Sequence, residues 1–509
     1  MAKLKYTSSE KWTLLATILA SSLVFIDSTA LNIAMPALQT DMGLTGAQLL
    51  WVVNAYSLFL SALLLIGGAM GDQYGRNKIF GIGLFIFMIA SLFCGVSDSP
   101  QQLIIARSFQ GIGGALLIPG SLSILTSQFP SNKLGAAIGL WSTFSALTAI
   151  VGPVLGGWLA GLGLWRVIFF LNIPFSVFVL WVIFYRVKES KNSEVVKLDF
   201  GGALLATTGL VGITYGFIES SNKGFGDAII IFSLIIGGFS SIGFVLSQHY
   251  GKYPMMPLKL FLNIDFTVTN LTTLFIYGAL GVCMFFLPLN MVQVQEYSEL
   301  QAGLSMVPII VLITVLSSIS GKLSGKFGSK LFLAIGPLIT GSGFFLFAFQ
   351  GLTAGYAAYF TTFFIPIILL GVGMGLTVAP LTTTVMLSVS KNNSGIASGV
   401  NNTVSRMAGV LFIALLGAMV LYYFKQNLYV GLQNMQLPDN IVEILKSRST
   451  NLGGTTIPIN TPTLLIKDVE SLIKTSFISS FNRVVIISAV FCWLSAVLSF
   501  VFLTDKKNP

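Results

Sequence analysis

The chain has 509 residues, of which 54% are hydrophobic and only 9% are charged. Soluble domains carry about 25% charged residues, so this composition excludes an ordinary soluble domain and indicates a membrane protein. The net charge of +10 could suggest a nucleic-acid partner. We expect none, because the basic residues are scattered through short polar segments and form no patch.

Fourteen stretches of about 20 mostly apolar residues are long enough to cross a bilayer. They predict an all-α membrane protein with both termini on one side of the membrane. With the termini in the cytoplasm, 18 of the 28 Lys and Arg residues fall on that side, as the positive-inside rule requires. The predicted spans are 14–36, 48–70, 79–97, 102–124, 136–160, 166–186, 201–219, 228–247, 267–292, 301–321, 331–350, 357–387, 395–424 and 482–503.

Motifs that recur at a nearly constant spacing indicate an internal repeat. Gly68–Lys78 after span 2 matches Gly321–Lys330 after span 10, although the acid is missing from the second copy. Gly111–Pro119 in span 4 matches Gly371–Pro380 in span 12. The repeat predicts a six-helix bundle over 1–190, an inserted helix pair over 191–262, and a second six-helix bundle over 263–509 with a long extracytoplasmic loop near 425–480.

The predicted loop near 425–480 is too polar to cross the membrane. Its last part, Leu464–Phe481, has apolar residues at helical spacing, which predicts an interfacial helix leading into the last span. For the rest of this segment, a solvated loop without a special function is the simpler interpretation.

Asp27 is the only carboxylate near the middle of a long apolar segment. A charge at that depth costs at least ~2.5–3.5 kcal/mol, so an intramembrane acid indicates a functional site by default. One titratable group in a chain with many spans suggests a transporter coupled to protons or cations. Asn32, further along the same span, is a second polar candidate for this site.

Arg107 and Gln110 lie inside span 4. At 1.5 Å per residue, Asp27 lies ~10 Å and Arg107 ~7 Å below the outer surface of a ~30 Å core, within about one turn of the same level. A buried arginine must be paired or must reach carbonyl groups. We therefore expect Arg107, with Gln110, to tune the affinity of Asp27 for a proton. An arginine satisfied only by backbone carbonyls and water is the alternative.

The loop after span 2 has a characteristic spacing of Gly68, Asp72, Gly75, Arg76 and Lys78. Small residues let two helix ends approach, and Asp72 can pair with a basic group or accept from a neighbouring helix N-terminus. This pattern predicts a cytoplasmic gating loop that stabilises one conformer and opens in the other. A glycine-rich turn with snorkelling cations is the alternative.

Span 5 contains a proline among small residues, which predicts a helix–helix hinge, although a packing role is equally consistent. The predicted hinge consists of Gly152, Pro153, Gly156 and Gly157. Further polar residues within spans are secondary candidates for the site. They are Asn172 in span 6 and Asn401, Asn402 and Arg406 in span 13.

No catalytic or cofactor motif is visible in the sequence. The three cysteines lie far apart in apolar segments, so they predict neither a metal site nor a disulfide framework. There is no nucleophile–base arrangement, and no Walker loop with its Gly-Lys-Ser/Thr ending. We therefore expect no enzymatic activity, no metal and no organic cofactor.

Together these motifs resemble the major facilitator superfamily, and more specifically its fourteen-span drug:proton antiporter branch of the EmrB/QacA type. The resemblance implies two six-helix bundles, alternating access, and proton-driven efflux of lipophilic, often cationic compounds across a bacterial inner membrane. In that branch Asp27 matches the span-1 coupling acid, and Arg107 matches the span-4 arginine linked to proton transfer. The resemblance is carried by Asp27–Pro36, Gly68–Lys78, Arg107–Ala115, Gly152–Gly157, Trp165–Pro174 and Ser394–Gly409.

The sequence departs from multidrug members of this type, which often carry further acids in spans of the second half. Here Glu219, Glu296 and Glu299 lie near the predicted outer face. We therefore expect neutral, zwitterionic or monocationic substrates. The alternatives are a dedicated transporter of one metabolite, siderophore or lipid-like molecule, and a non-transporting sensor or assembly partner. The implied partners are a small molecule, protons and the bilayer. An envelope accessory protein as a further partner is left as an open alternative.

Overall fold

The structure is a computed structural model that describes residues 6–191, 197–390 and 393–504. Within these ranges fourteen helical segments are long and apolar enough to cross a membrane, which confirms the predicted all-α membrane class. Helices suit this role because the bilayer core offers no water to backbone polar groups. The helices are α1 (Ser8–Met42), α2 (Gly46–Tyr74), α3 (Arg76–Gly95), α4 (Pro100–Gln128), α5 (Ser131–Gly161), α6 (Val167–Phe170), α7 (Asn172–Arg186), α8 (Phe200–Lys223), α9 (Ala228–Tyr250), α10 (Ile264–Leu289), α11 (Glu299–Phe327), α12 (Ser329–Phe347), α13 (Phe364–Leu387), α14 (Ser394–Gln433), α15 (Asp439–Arg448) and α16 (Ile466–Phe502).

The helix bundle has two ends. The terminal side is the end at which α1 begins and α16 ends, and the loop side is the opposite end. The first half is α1 to α7, and the second half is α10 to α16. Residues 192–196, where the sequence predicts the link to the inserted helix pair, lie outside the described residues.

Polar side chains define where several crossing helices begin. The side chains of Thr7, Thr45 and Ser298 each accept a hydrogen bond from the backbone N–H three residues on. The Glu or Gln side chain at that position in turn accepts one from the backbone N–H of the capping residue. Such capping boxes satisfy donors that have no partner within the helix. The sequence thus fixes the first turn of α1, α2 and α11.

Matched glycines make the same close contact in both halves. A β-carbon on Gly113 in α4 would lie 2.7 Å from the carbonyl oxygen of Gly83 in α3. A β-carbon on Gly373 in α13 would lie 2.6 Å from the carbonyl oxygen of Gly336 in α12. Helices can approach this closely only where side chains are absent. The repeated sequence motif therefore corresponds to one packing arrangement that occurs once in each half.

Helix α8 of the inserted pair lies against both halves. Its residue Leu210 packs with Leu58 of α2 and Val410 of α14 in one buried apolar cluster. On the loop side, the Trp51 indole N–H donates to the Glu219 carboxylate at 2.9 Å. The inserted pair therefore flanks the junction of the halves.

Two predictions about where helices begin and end are wrong. The span predicted at 357–387 begins only at Phe364, because a 3₁₀ turn at Gly355–Ala358 precedes it and Gly355 has a φ of +67°. The interfacial helix predicted at Leu464–Phe481 is not a separate element. Its residues from Ile466 onward form the first turns of α16, since neither glycine nor proline interrupts that helix.

The segment predicted as a long loop near 425–480 is largely helical, because α14 extends to Gln433 and α15 and the start of α16 follow. We call residues 434–465 the loop-side cap. Within it, Leu452 is buried against the bundle, and the Asn451 carbonyl accepts from the Gln39 amide at 3.0 Å. The cap thus covers the end of α1 on the loop side.

Candidate functional site

Four helices of the first half bring five polar side chains together. We call this group the Asp27 cluster: Asp27 on α1, Ser91 on α3, Arg107 and Gln110 on α4, and Asn172 on α7. Each is at most 1% exposed. The Asp27 Oδ2 accepts from the Arg107 Nη1 at 2.5 Å, and its Oδ1 accepts from the Gln110 Nε2 at 2.8 Å. The Asn172 amide donates to the same Oδ1 at 3.2 Å.

Arg107 is held by more than its ion pair. Its Nη1 donates to the Gln110 Oε1 at 2.6 Å, and its Nε donates to the Val52 carbonyl at 3.3 Å. Its guanidinium carbon lies 4.3 Å from the centre of the Tyr56 ring, at a cation–π distance. A buried charge requires such complete pairing. The alternative of an arginine satisfied only by backbone carbonyls and water is therefore wrong.

Sequence reasoning missed Ser91 and Tyr56 as members of this site. The Ser91 Oγ accepts from Gln110 at 2.9 Å and from Asn172 at 3.2 Å, so it orients both amides toward Asp27. A single serine in an apolar span gives no usable signal, because serine is common in transmembrane helices. Asn172, considered only as a secondary candidate, contacts Asp27 directly.

A cavity of about 320 Å³ lies between the two halves beside the Asp27 cluster. It is lined by α1, α2 and α4 from the first half and by α10 and α14 from the second. The charged residues in its wall are Arg107 and Arg406, and Asn32 adds an amide. Asp27 is fully buried behind Arg107. We call this space the central cavity.

The other polar candidates of span 13 lie outside the Asp27 cluster. Asn401 donates to Asn270 at 3.1 Å and to the Thr273 hydroxyl at 2.7 Å, which ties α14 to α10. Asn402 is exposed and donates to the carbonyl of Ser398 in its own helix at 3.0 Å. Of the three candidates, the structure places only Arg406 at the central cavity.

The predicted gating loop is held within the first half. Asp72 pairs with Arg76 at 2.8 Å, and Arg76 also reaches the Ser123 carbonyl of α4 at 3.5 Å. At the other end of the motif, Gly68 packs against Pro119. These contacts are compatible with a latch, and the gating role stays a prediction.

Glu189 is a partner of this loop that the sequence did not reveal. Its carboxylate accepts from the backbone N–H groups of Asn77 at 2.9 Å and Lys78 at 3.1 Å, at the first turn of α3. A carboxylate there is favourable because the helix N-terminus carries partial positive charge. Gly75 has a φ of +113°, and a β-carbon on it would lie 3.0 Å from the Glu189 carboxylate.

The predicted hinge is a close contact between three helices. Gly152 and Gly156 face Thr29 and Ala30 of α1, while Gly157 faces the backbone of Glu299 at the start of α11. These glycines let α5 approach α1 of its own half and α11 of the second half, and Pro153 lies within the same helix. A hinge motion at this contact stays a prediction.

The part of the chain that the structure describes holds no group of three His, Cys, Asp or Glu residues that could bind a metal. A central cavity between two sets of crossing helices is the arrangement of a membrane carrier for small molecules. Residues 17–413 match the family model described as Major Facilitator Superfamily, so the chain belongs to this family of transporters. It is a multi-pass protein of the plasma membrane.

Several relatives are named for the export of antibiotics or for resistance to them. The cephamycin export protein CmcT of Amycolatopsis lactamdurans is 32% identical over 81% of this chain and 85% of its own length. The puromycin resistance protein pur8 of Streptomyces alboniger is 29% identical over 80% of this chain and 81% of its own length. The chain is thus similar, along most of its length, to proteins named for antibiotic export or antibiotic resistance.

Solved structures support the fold. A bacterial homologue of the human lysosomal transporter Spinster, in an inward-facing and unoccupied conformation, matches with a TM-score of 0.68 and 18% identity. The match covers 99% of this chain and all of that one. The nucleoside transporter NupG matches with a TM-score of 0.63 and 12% identity, over 97% of this chain and 99% of its own.

Proposed function

We propose that this protein exports small lipophilic compounds in exchange for protons by alternating access. The observation that carries the proposal is the buried Asp27–Arg107 ion pair at the wall of the central cavity. The relatives named for cephamycin export and puromycin resistance support export as the direction of transport. The predicted cytoplasmic position of both termini would place the terminal side inside the cell.

Asp27 is the proposed proton site. It is the acid of the Asp27 cluster, and its two carboxylate oxygens already accept three hydrogen bonds from side chains. Protonation would remove the charge that balances Arg107. A buried ion that loses its partner is costly, so the Arg107 side chain must then find new partners. Because Arg107 lines the central cavity, this change is transmitted directly to the place where a substrate would sit.

This arrangement gives a physical reason for exchange. With Asp27 ionised, Arg107 is neutralised and adds no net charge to the cavity wall. With Asp27 protonated, the uncompensated guanidinium draws water into the cavity, because a charge in a medium of low dielectric constant is strongly destabilised. A lipophilic substrate then loses affinity. Proton and substrate thus oppose each other's binding, and this opposition is reciprocal.

The cavity wall suits lipophilic guests. It contains the aromatic residues Phe25, Tyr56, Tyr277 and Phe285, together with aliphatic side chains from both halves. Ligand pockets are generally apolar with a few polar groups that fix orientation. Asn32, Arg107 and Arg406 would be those polar groups here.

The size of the cavity favours a second candidate, a transporter dedicated to one small substrate. Ligand pockets typically measure ~300–1,000 Å³, and this cavity of about 320 Å³ is near the lower limit. Transport of a broad panel of compounds would support multidrug export. Transport of a single compound class would support the dedicated function.

Proton movement in proteoliposomes tests the proposed exchange. The purified protein would be reconstituted with an internal pH-sensitive dye and exposed to ethidium, a quaternary ammonium compound and neutral lipophiles. Wild type would be compared with Asp27→Asn, which resembles the protonated acid. The matched control is Asp98→Asn, since Asp98 is an exposed carboxylate at the loop side of the first half.

Substrate-induced proton movement in wild type and in Asp98→Asn, with its loss in Asp27→Asn, is the expected result. Full coupled transport by Asp27→Asn would show that the proton binds elsewhere. If the wild-type protein responds to no compound in the panel, the transporter dedicated to one substrate becomes the better-supported function.

A further inference from the structure

We infer that Arg406 is a charge filter in the central cavity. It repels cationic compounds and selects uncharged lipophiles that present a hydrogen-bond acceptor to its guanidinium. The inference rests on the proposed exporter function and narrows its substrate class. This substrate class differs from the cationic compounds whose efflux the sequence resemblance implies.

The two arginines of the cavity wall differ in their partners. Arg107 pairs with Asp27 at 2.5 Å. Arg406, which enters the same cavity from α14 of the second half, forms no ion pair and no side-chain hydrogen bond with any residue in the described ranges. It is nevertheless partly buried and lies about twelve residues, or ~18 Å, inside a crossing helix. An intramembrane arginine without a partner indicates a binding function.

The charge of Arg406 is therefore not balanced by the protein. Arg107 and Arg406 are the charged residues that line the cavity, and Asp27 already neutralises Arg107. The cavity wall thus carries one net positive charge. At an effective dielectric constant of about 20 and a separation of ~6 Å, this charge would weaken the binding of a monocation on the order of 100-fold.

The neighbours of Arg406 define what would bind instead. A guanidinium offers five N–H donors, and donors left without acceptors at a buried site are costly. Tyr56 also lines the cavity, and its hydroxyl is buried without a hydrogen-bond partner in the part of the chain that the structure describes. Tyr277, Met284 and Phe285 supply a largely apolar surface around these groups. The matching ligand is a flat lipophile with a carbonyl or similar oxygen.

Exchange with protons favours an uncharged ligand over an anionic one. An anion would also satisfy Arg406. However, protonation of Asp27 leaves Arg107 without its counter-ion, and a second free guanidinium would strengthen the binding of an anion. Proton and anion would then favour each other, which is the opposite of exchange. An uncharged acceptor satisfies Arg406 and remains compatible with proton exchange.

Two dyes with the same ring system test this selection. Nile red is uncharged and carries a carbonyl group, whereas Nile blue carries a cationic nitrogen group at the same ring position. Their dissociation constants would be measured on the purified full-length protein. The variants are Arg406→Gln, which removes the charge but keeps an amide donor, and Arg406→Lys, which keeps the charge. The control is Arg483→Gln, since Arg483 stacks 4.4 Å from the Tyr423 ring, away from the central cavity.

Wild type should bind Nile red at least about tenfold more tightly than Nile blue. Arg406→Gln should reduce this ratio about tenfold or more through tighter binding of Nile blue. Arg406→Lys and Arg483→Gln should keep the ratio. Equal affinity for the two dyes in wild type, no binding of Nile red, or an unchanged ratio in Arg406→Gln would overturn the inference. If Arg406→Gln does not fold, loss of the preference in Arg406→Lys would overturn it.

The two proposals fail in distinguishable ways. Substrate-induced proton movement with Nile red, lost in Asp27→Asn, tests the exchange. An unchanged dye ratio in Arg406→Gln with intact proton movement overturns the charge filter alone. A changed dye ratio without any proton movement overturns the proposed exchange and supports selection by Arg406.

Discussion

The side-chain amide of Gln293 donates to the amide oxygen of Gln39 at 2.7 Å and so joins the second half to the first half on the loop side. The same Gln39 amide donates to the Asn451 carbonyl in the loop-side cap. Gln39 therefore connects three parts of the chain that must separate if the central cavity is to open on this side. Neither glutamine was a candidate in the sequence, because amides near helix ends are unremarkable there.

Loss of this link should favour opening of the loop side. A neutral hydrogen bond contributes about 0.5–1.5 kcal/mol, so Gln293→Ala should shift the equilibrium between closed and open forms roughly 2- to 13-fold. Distances between spin labels at the exposed positions Thr40 and Ala354 would report the shift. Labelling is straightforward because all three native cysteines are buried. Gln102→Ala, within the first half, is the control, and an unchanged distance distribution in Gln293→Ala would contradict the assigned role.

The ion pair of the Asp27 cluster should behave as a unit in stability measurements. Arg107→Met leaves the Asp27 carboxylate buried without its counter-ion, which typically costs about 3–5 kcal/mol. Adding Asp27→Asn should recover most of this loss without restoring proton exchange. Thermal unfolding in detergent measures both effects. Arg166→Met is the control, because its pair with Asp41 is much more exposed and should contribute less than about 1 kcal/mol.

The matched glycine contacts predict equivalent effects in both halves. Gly113→Ala and Gly373→Ala would each place a methyl group within 3 Å of neighbouring backbone, and such overpacking costs about 1–3 kcal/mol. Gly139→Ala should be tolerated, since its β-carbon would meet nothing within 4 Å. Melting temperatures of the three variants provide the test. A stable Gly113→Ala beside a destabilised Gly373→Ala would show that the two contacts are not equivalent.

Glu189 should hold the gating loop in place. Glu189→Gln removes the charge that faces the first turn of α3, at a cost of about 0.5–2 kcal/mol. Limited trypsin digestion should then cleave faster at Arg76 or Lys78. The control is Glu470→Gln, since Glu470 is an exposed carboxylate near the start of α16 on the loop side. Equal cleavage rates in wild type and Glu189→Gln would show that the loop is held by other contacts.

The sequence was sufficient to predict the number of membrane crossings and the similar depth of Asp27 and Arg107 in the membrane. A bilayer of fixed thickness converts residue number into depth, so two residues on different helices can be compared before any contact is known. The pairing that the depths suggested is present in the structure.

The face of a helix on which a residue lies could not be predicted in this way. Depth does not say which face of a helix a residue occupies, so the direct contact of Asn172 and the contribution of Ser91 were hidden. Glu189 was hidden for a related reason, because its backbone partners lie more than a hundred positions earlier in the chain. The loop-side cap was missed because polar helices such as α15 give no hydropathy signal.

Helix α14 runs without interruption from the terminal side, past the central cavity, to the loop side. Its 40 residues measure ~60 Å, about twice the thickness of the ~30 Å hydrocarbon core. Arg406 and the exposed Val430 lie on this one helix, ~36 Å apart. A tilt of about 5° at the cavity would therefore move Val430 by ~3 Å. A fluorophore at Val430 would therefore report the transport cycle from a position on the loop side that does not line the central cavity.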